Sequence, residues 1–414
     1  MTKGFFREDA ELTCDGVPLS ALAREFGTPL YVYSWAAIEE RWRRFDRAFA
    51  DVPHLVCYAM KANSSFAILR RLASLGSGAD VVSGGELRAA VACGIPADRI
   101  VFSGVGKTEE EIAAAVDAGI LAFNAESERE IEKIAEAAAA RGATARVALR
   151  VNPDIDARSH PYISTGLKHN KFGVDIGRAR EIFARAKERR GVRMIGVQAH
   201  IGSQIVEAEP LAETARELAA LATELARDGH GIEHIDLGGG IGIGDGTGSE
   251  LSPEGYAAAV LPSLRGLPFR ILVEPGRAIA GPAGVLLARV LYVKTERGKN
   301  FVVLDAGMND LIRPALYEAI HPIEFVAPSG GQKIAADVVG PVCETGDFFL
   351  RDVELDRPEE GALLAIGNAG AYGFAMASNY NFRLRPAEIL VENGRALLAR
   401  RRETFEDFTR LEHE

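Results

Sequence analysis

"LVCYAMKANSSFAILRRLASLGSGADVVSGGELRAAVACG", residues 55–94, carries the same pattern twice. A short apolar run is followed by a segment of helical period that closes on glycine. Lys61 ends the first run and Asp80 sits in the second. Runs that are apolar throughout, rather than alternating, are strands buried on both faces, as in parallel sheets covered by helices.

Outward from this stretch the pattern continues. "RIVFSG", "ILAFNA", "ARVALRVN", "MIGVQAHIG", "IEHIDLGGG" and "FRILVEPG" read as further strands, with helical segments such as "TEEEIAAAVDAG" and "LAETARELAALATELARDG" between them. Eight strand–helix units predict a closed (β/α)8 TIM-like barrel over residues 37–282. An open dinucleotide-binding sheet would need G-x-G-x-x-G after its first strand, and "MKANSS" has no glycine. The connection after the fifth strand, "NPDIDARSHPYISTGLKHNKFGVDIG", exceeds the usual length and is expected to fold over the barrel mouth. Beyond residue 282 alternating runs and an "ENGR" turn predict a mostly antiparallel β domain. Both chain termini, 1–36 and 283–414, are expected to build it.

Composition narrows the class. The chain has 414 residues and a formal charge of −10, without a basic patch, so no nucleic-acid partner is expected. No run is long and apolar enough for a membrane span, and the N-terminus lacks an apolar leader core. The 4 cysteines are scattered without CxxC, which points away from disulfides and zinc and toward the cytoplasm. His230 and His234 lie in a glycine-broken turn without HExxH and read as linker, leaving no metal site.

Chemistry in such barrels sits at the C-terminal strand ends. Those ends carry Lys61, Asp80, Ser103, Asn124, Asn152, His200 with Ser203, Gly238 to Gly240, and Glu274 with Arg277. Alone, Lys61 reads as a solvated strand end. Converging with an imidazole, a glycine turn and a carboxylate, it reads as a reactive amine. The glycines near the seventh strand suit a phosphate group. A lysine beside a phosphate cradle fits either a sugar-phosphate aldolase or a pyridoxal-phosphate enzyme. Glu274 favours the second, because a carboxylate keeps the pyridine nitrogen protonated.

Nine ordered stretches then carry a resemblance: "YAMKAN", "DVVSGGEL", "HPYISTGLKHNKFG", "HIGSQ", "LGGGIGI", "VEPGR", "MNDLIRPALYEA", "GPVCETGDFF" and "NAGAYGFAMASNYNFRLRPAE". The sequence resembles the alanine-racemase-like, barrel-type pyridoxal-phosphate enzymes and, within them, is similar to the diaminopimelate decarboxylases. The resemblance implies decarboxylation of meso-2,6-diaminopimelate to L-lysine and CO2, the last step of lysine biosynthesis. The alternative is a decarboxylase of the same fold acting on D-lysine, D-ornithine, arginine or carboxynorspermidine. It implies pyridoxal 5′-phosphate held by Lys61 as a Schiff base, with Asp80, His200, Ser203, Gly239, Gly240, Glu274, Gly276, Arg277 and Tyr372 around it. Arg277, Arg313, Tyr317, Glu344 and Tyr372 would line the substrate pocket. Lys61, His200 and Cys343 would be catalytic, Cys343 acting as proton donor across the interface of a homodimer with shared sites.

Overall fold

The computed structural model describes residues 4–157, 170–244 and 250–412. The chain divides into two units, one of Trp42–Gly244 with Ser249–Ala278, the other of Met1–Arg41 with Ile279–Glu414. A strand of the second unit, β1 (Leu30–Ser34), precedes the barrel strands in the chain.

In the first unit the apolar runs form β2 (His54–Ala59), β3 (Gly78–Val81), β4 (Ile100–Phe102) and β5 (Ala122–Ala125). They continue as β6 (Ala145–Asn152), β7 (Val192–Gln198), β8 (His234–Asp236) and β9 (Arg270–Val273). Each pairs in parallel with the next, and β9 pairs with β2, so the ring closes as an eight-stranded barrel. Seven helices alternate with the strands: α1 (Phe66–Ser74), α2 (Gly84–Ala92), α3 (Glu109–Ala118), α4 (Glu128–Ala139), α5 (Ala179–Lys187), α6 (Glu209–Arg227) and α7 (Pro253–Val260). Their starts are encoded locally. Ser83, Ser127 and Ser252 accept backbone N–H groups of α2, α4 and α7, and Thr108 with Glu111 makes a reciprocal capping box at α3.

Leu55, Cys57, Val101, Leu121, Ala122, Ile195 and Leu272 form a buried apolar cluster within the barrel. That packing makes the barrel interior a core rather than a pore. Polar side chains therefore collect at the strands' C-terminal ends.

Two expectations fall partly outside the described residues. The long connection after β6 returns at Val174–Asp175, which pairs in parallel with Val151–Asn152, but residues 158–169, needed to judge a cover over the mouth, are outside. So are residues 245–248 of the glycine run. One reading is corrected. His234 is not linker: it opens β8 and is buried, with removal from water and the Arg146 charge lowering its pKa to about 4.

The second unit is built on β10 (Gly284–Glu296), antiparallel to β1, to β11 (Lys299–Leu304) and to β14 (Leu363–Ile366). Strand β12 (Lys333–Val339) runs parallel to β11 and antiparallel to β13 (Phe348–Asp356). Strand β15 (Ala387–Glu392) runs parallel to β1 and antiparallel to β16 (Arg395–Arg400). The sheet is mostly antiparallel and uses both ends of the chain. Its last hairpin turns at Asn393 and Gly394, both with positive φ, the pair a tight two-residue turn demands. Leu30, Val32, Val285, Leu287, Ile389 and Val391 belong to its apolar core. Among the described residues no helix is long and apolar enough to cross a membrane.

Candidate active site

The barrel brings nine of the sequence-predicted residues to one mouth. Lys61 lies in a single 3-10 turn, Met60–Ala62, directly after β2. Its Nζ donates to Asp80 Oδ2 on β3 at 3.0 Å. The lysine side chain keeps 36% of its exposure while Asp80 has none, so the ammonium faces the mouth from a buried anchor. A buried carboxylate without such a cation would be costly.

Glu274 follows β9 and is buried. Asn124 Nδ2 donates to its Oε1 and Gln198 Nε2 to its Oε2, each at 3.2 Å, so two barrel strands aim its carboxyl. Removal from water raises its pKa well above the usual carboxylate range; Asp236 and Asp80 raise it further, and Lys61 opposes them. Asp236, at the end of β8, is also buried, and burial lifts its pKa to about 6. Three acids thus gather at one barrel end, a place that calls for a cationic partner.

His200 follows β7. Gly239 N–H donates to its Nδ1 at 3.2 Å, which leaves the ring proton on Nε2. Removal from water, then the charges of Lys61 and Arg150, hold its pKa well below the ordinary value. The ring is neutral. Arg277 opens a short helical turn, and its Nη2 donates to Ser203 Oγ at 2.9 Å. The glycine turn is packed against both neighbours. A Cβ on Gly239 would overlap the Glu274 carbonyl oxygen, and one on Gly240, whose φ is +103°, would overlap that of Gly202. Gly276 is closed in by Ala59 and Ala62, either side of Met60 and Lys61.

The remaining predicted residues lie in the second unit. Arg313 and Tyr317 bound one helical turn, Arg313–Tyr317, and Arg313 is buried at 7% exposure. Cys343 and Glu344 sit on an exposed turn organised by Asp347, whose carboxylate accepts Val342 N–H and Met308 N–H, both at 2.6 Å. Cys343 N–H also donates to Asn381 Oδ1 at 2.9 Å. Tyr372 has φ of +56°, an uncommon conformation for a bulky residue.

Sequence reasoning left Gln198, Asp236, His321 and Asp347 out of the site and stopped short of a role for Asn124. Asn124, Gln198 and Asp236 each carried a signal, a polar residue at the C-terminal end of a barrel strand. His321 and Asp347 carried none, because each joins a near neighbour to backbone far along the chain, at Gly367 and at Met308, which no local pattern specifies.

Comparison with known proteins extends the geometry. Residues 35–281 match the family model described as pyridoxal-dependent decarboxylase, pyridoxal binding domain. The chain is 50% identical over 395 residues to the diaminopimelate decarboxylase of Neisseria meningitidis serogroup A, covering 95% of this chain and 97% of the relative. It superposes on the Helicobacter pylori diaminopimelate decarboxylase complexed with L-lysine with a TM-score of 0.92, at 44% identity, covering 95% of this chain and 98% of the other. For the M. jannaschii diaminopimelate decarboxylase in co-complex with L-lysine the values are 0.93, 41%, 99% and 97%. With sequence and fold matched along nearly the whole length, the chain belongs to the diaminopimelate decarboxylase family of pyridoxal-dependent decarboxylases.

Proposed function

We infer that this protein is a carboxy-lyase that converts meso-2,6-diaminopimelate to L-lysine and CO2 with pyridoxal 5′-phosphate, the last step of lysine biosynthesis. One observation carries the reading. An amine and a buried acid share one barrel mouth, in a chain that matches diaminopimelate decarboxylases over 95% of its length.

The residues present fit the cofactor. Glu274 is a buried carboxyl crowded by Asp236 and Asp80, and a protonated ring nitrogen would supply the missing cation. Asp80 Oδ1, Asn124 Oδ1 and Gln198 Oε1 are buried acceptors without a hydrogen-bond partner among the described residues, so the mouth is acceptor-rich. Lys61 would hold the cofactor covalently through Nζ, with Asp80 keeping the amine aimed. Ser203, Gly239, Gly240, Gly276 and Arg277 would hold the phosphate end, with His200 against the ring and Tyr372 in contact. A neutral His200 adds no charge to compete with that of the ring.

When bound, the cofactor supplies an electron-withdrawing ring that accepts the electrons left at Cα when CO2 departs. The chain's own residues do the rest. Arg277 and Arg313, with the Tyr317 hydroxyl, would bind the distal carboxylate, and Glu344 the distal ammonium, which rejects analogues lacking either charge. Cys343 would deliver the proton to Cα. Its exposure in a single chain supports a homodimer in which Cys343 and Glu344 complete the site of the partner subunit. We further read residues 37–282 as the cofactor-binding barrel, and 1–36 with 283–414 as the β domain; the family match over 35–281 supports this. Four free cysteines support a reducing, cytoplasmic setting.

Two measurements test the reading. Lys61→Ala should abolish the visible absorbance of the bound cofactor in the purified protein, and a retained band would falsify the role of Lys61. CO2 release from meso-diaminopimelate should exceed that from D-lysine, D-ornithine, arginine or carboxynorspermidine by orders of magnitude. A faster rate with any of these would replace the substrate.

A further inference from the structure

His321 is fully buried and spends both ring nitrogens on neighbours that leave it no choice of protonation. Arg313 Nη1 lies 3.0 Å from its Nε2, and the Gly367 carbonyl oxygen lies 2.8 Å from its Nδ1. A guanidinium only donates and a carbonyl only accepts. Nε2 must therefore be bare and Nδ1 must carry the proton, so the imidazole is neutral and in a single tautomer.

The frame around it is stiff. Gly367 N–H donates to Pro322 O at 2.7 Å, and Ile323–Phe325 pairs antiparallel with β14, whose last residue Ile366 precedes Gly367. Backbone on both sides thus fixes the imidazole, and the imidazole fixes one arm of the Arg313 fork.

We propose that His321 is a positioning residue for substrate recognition, a neutral acceptor that aims Arg313 without cancelling its charge. This rests on the reading of Arg313 as a binder of the distal carboxylate. A carboxylate at position 321 would hold the fork equally well but would neutralise it and compete with the substrate. An imidazole acceptor adds no negative charge to the fork and orders it before the carboxylate arrives.

The contact is made to substrate and product alike, because the distal amino acid head is unchanged by the reaction. Its loss should raise KM and the inhibition constant of L-lysine together and leave kcat nearly constant, the signature of uniform binding. In the holoenzyme, His321→Leu should raise both by about 10- to 100-fold, the scale of one hydrogen bond to a charged group. The visible absorbance of the bound cofactor should not change. His321→Gln, whose Oε1 can stand in for Nε2, should recover most of the loss.

Arg313→Met is run in parallel. If it raises KM and His321→Leu does not, the inference fails and the reading of Arg313 stands. If neither raises KM, the reading of Arg313 fails. A third measurement does not depend on any variant folding with full activity. In 15N-histidine spectra of the wild-type holoenzyme, the His321 signals, assigned by their absence in His321→Gln, should show a protonated Nδ1 and a bare Nε2. A protonated Nε2 overturns the proposal.

Discussion

At the residue scale the site is a matter of charge held out of water. Asp80 anchors Lys61, while Glu274 shares a buried end of the barrel with Asp236. An acid kept among acids stores unfavourable energy that a cationic ring would release, so the same residue should help function and harm the empty protein. Glu274→Gln is expected to lower kcat by about 10²-fold or more, the scale of losing one preorganised charge at a reacting centre. The cofactor-free variant should melt higher than the cofactor-free parent by scanning calorimetry, by an amount equivalent to about 1–3 kcal/mol. A lower melting temperature would mean that Glu274 is already well compensated. The thiols sort as clearly. Cys14, Cys57 and Cys93 are buried, and burial raises their pKa, whereas Cys343 is exposed.

At the element scale, packing decides which backbone can approach which. Gly240→Ala would press a methyl group into the Gly202 carbonyl at a positive φ. It should weaken cofactor binding by at least about tenfold while the helical circular dichroism stays that of the parent. Strand β8 predicts a pH dependence. His234 has a folded pKa of about 4 against an ordinary 6.5, from burial first and then the Arg146 charge. Above pH 6.5 the ring is neutral whether folded or not. As pH falls toward 4, the unfolded chain takes up a proton that the folded chain refuses, and stability is lost. The difference in unfolding free energy between the parent and His234→Gln should therefore shrink by up to about 3 kcal/mol from pH 7 to pH 4 in urea titrations. Buried acids such as Asp236 and Asp310, with raised pKa values of about 6 and about 7, act in the opposite sense but cancel in that difference. A constant difference would contradict the burial of the ring.

At the scale of the whole molecule, the proposed homodimer makes a complementation prediction. Lys61→Ala and Cys343→Ala should each be inactive alone. Co-expressed, they should form mixed dimers with one intact site, restoring about a quarter of the parent activity if pairing is random. No restoration would place both groups of each site on one chain. Legibility also differs by scale. The eight strands could be read because double-sided burial writes continuous apolar runs, and the helix starts because Ser83, Thr108, Ser127 and Ser252 cap them locally. His234 was misread because Gly229 and Gly231, on either side of nearby His230, look like a turn, although the His–Ile–Asp run that follows is a buried strand.

The amino-acid order alone settled the alternation of strand and helix, the change of pattern after residue 282, and the polar residues that end the barrel strands. Those signals are local, set by periodicity and by which side chains tolerate burial. Which acids face Glu274, which imidazole holds Arg313 and which carboxylate organises the Cys343 turn were decided only by the closed fold. Asn124 and Glu274 lie 150 positions apart, and nothing in either neighbourhood specifies the other until β2 to β9 pair into a ring. Electrostatic and hydrogen-bond partners are set by distance through space, and that distance exists only once the chain has folded.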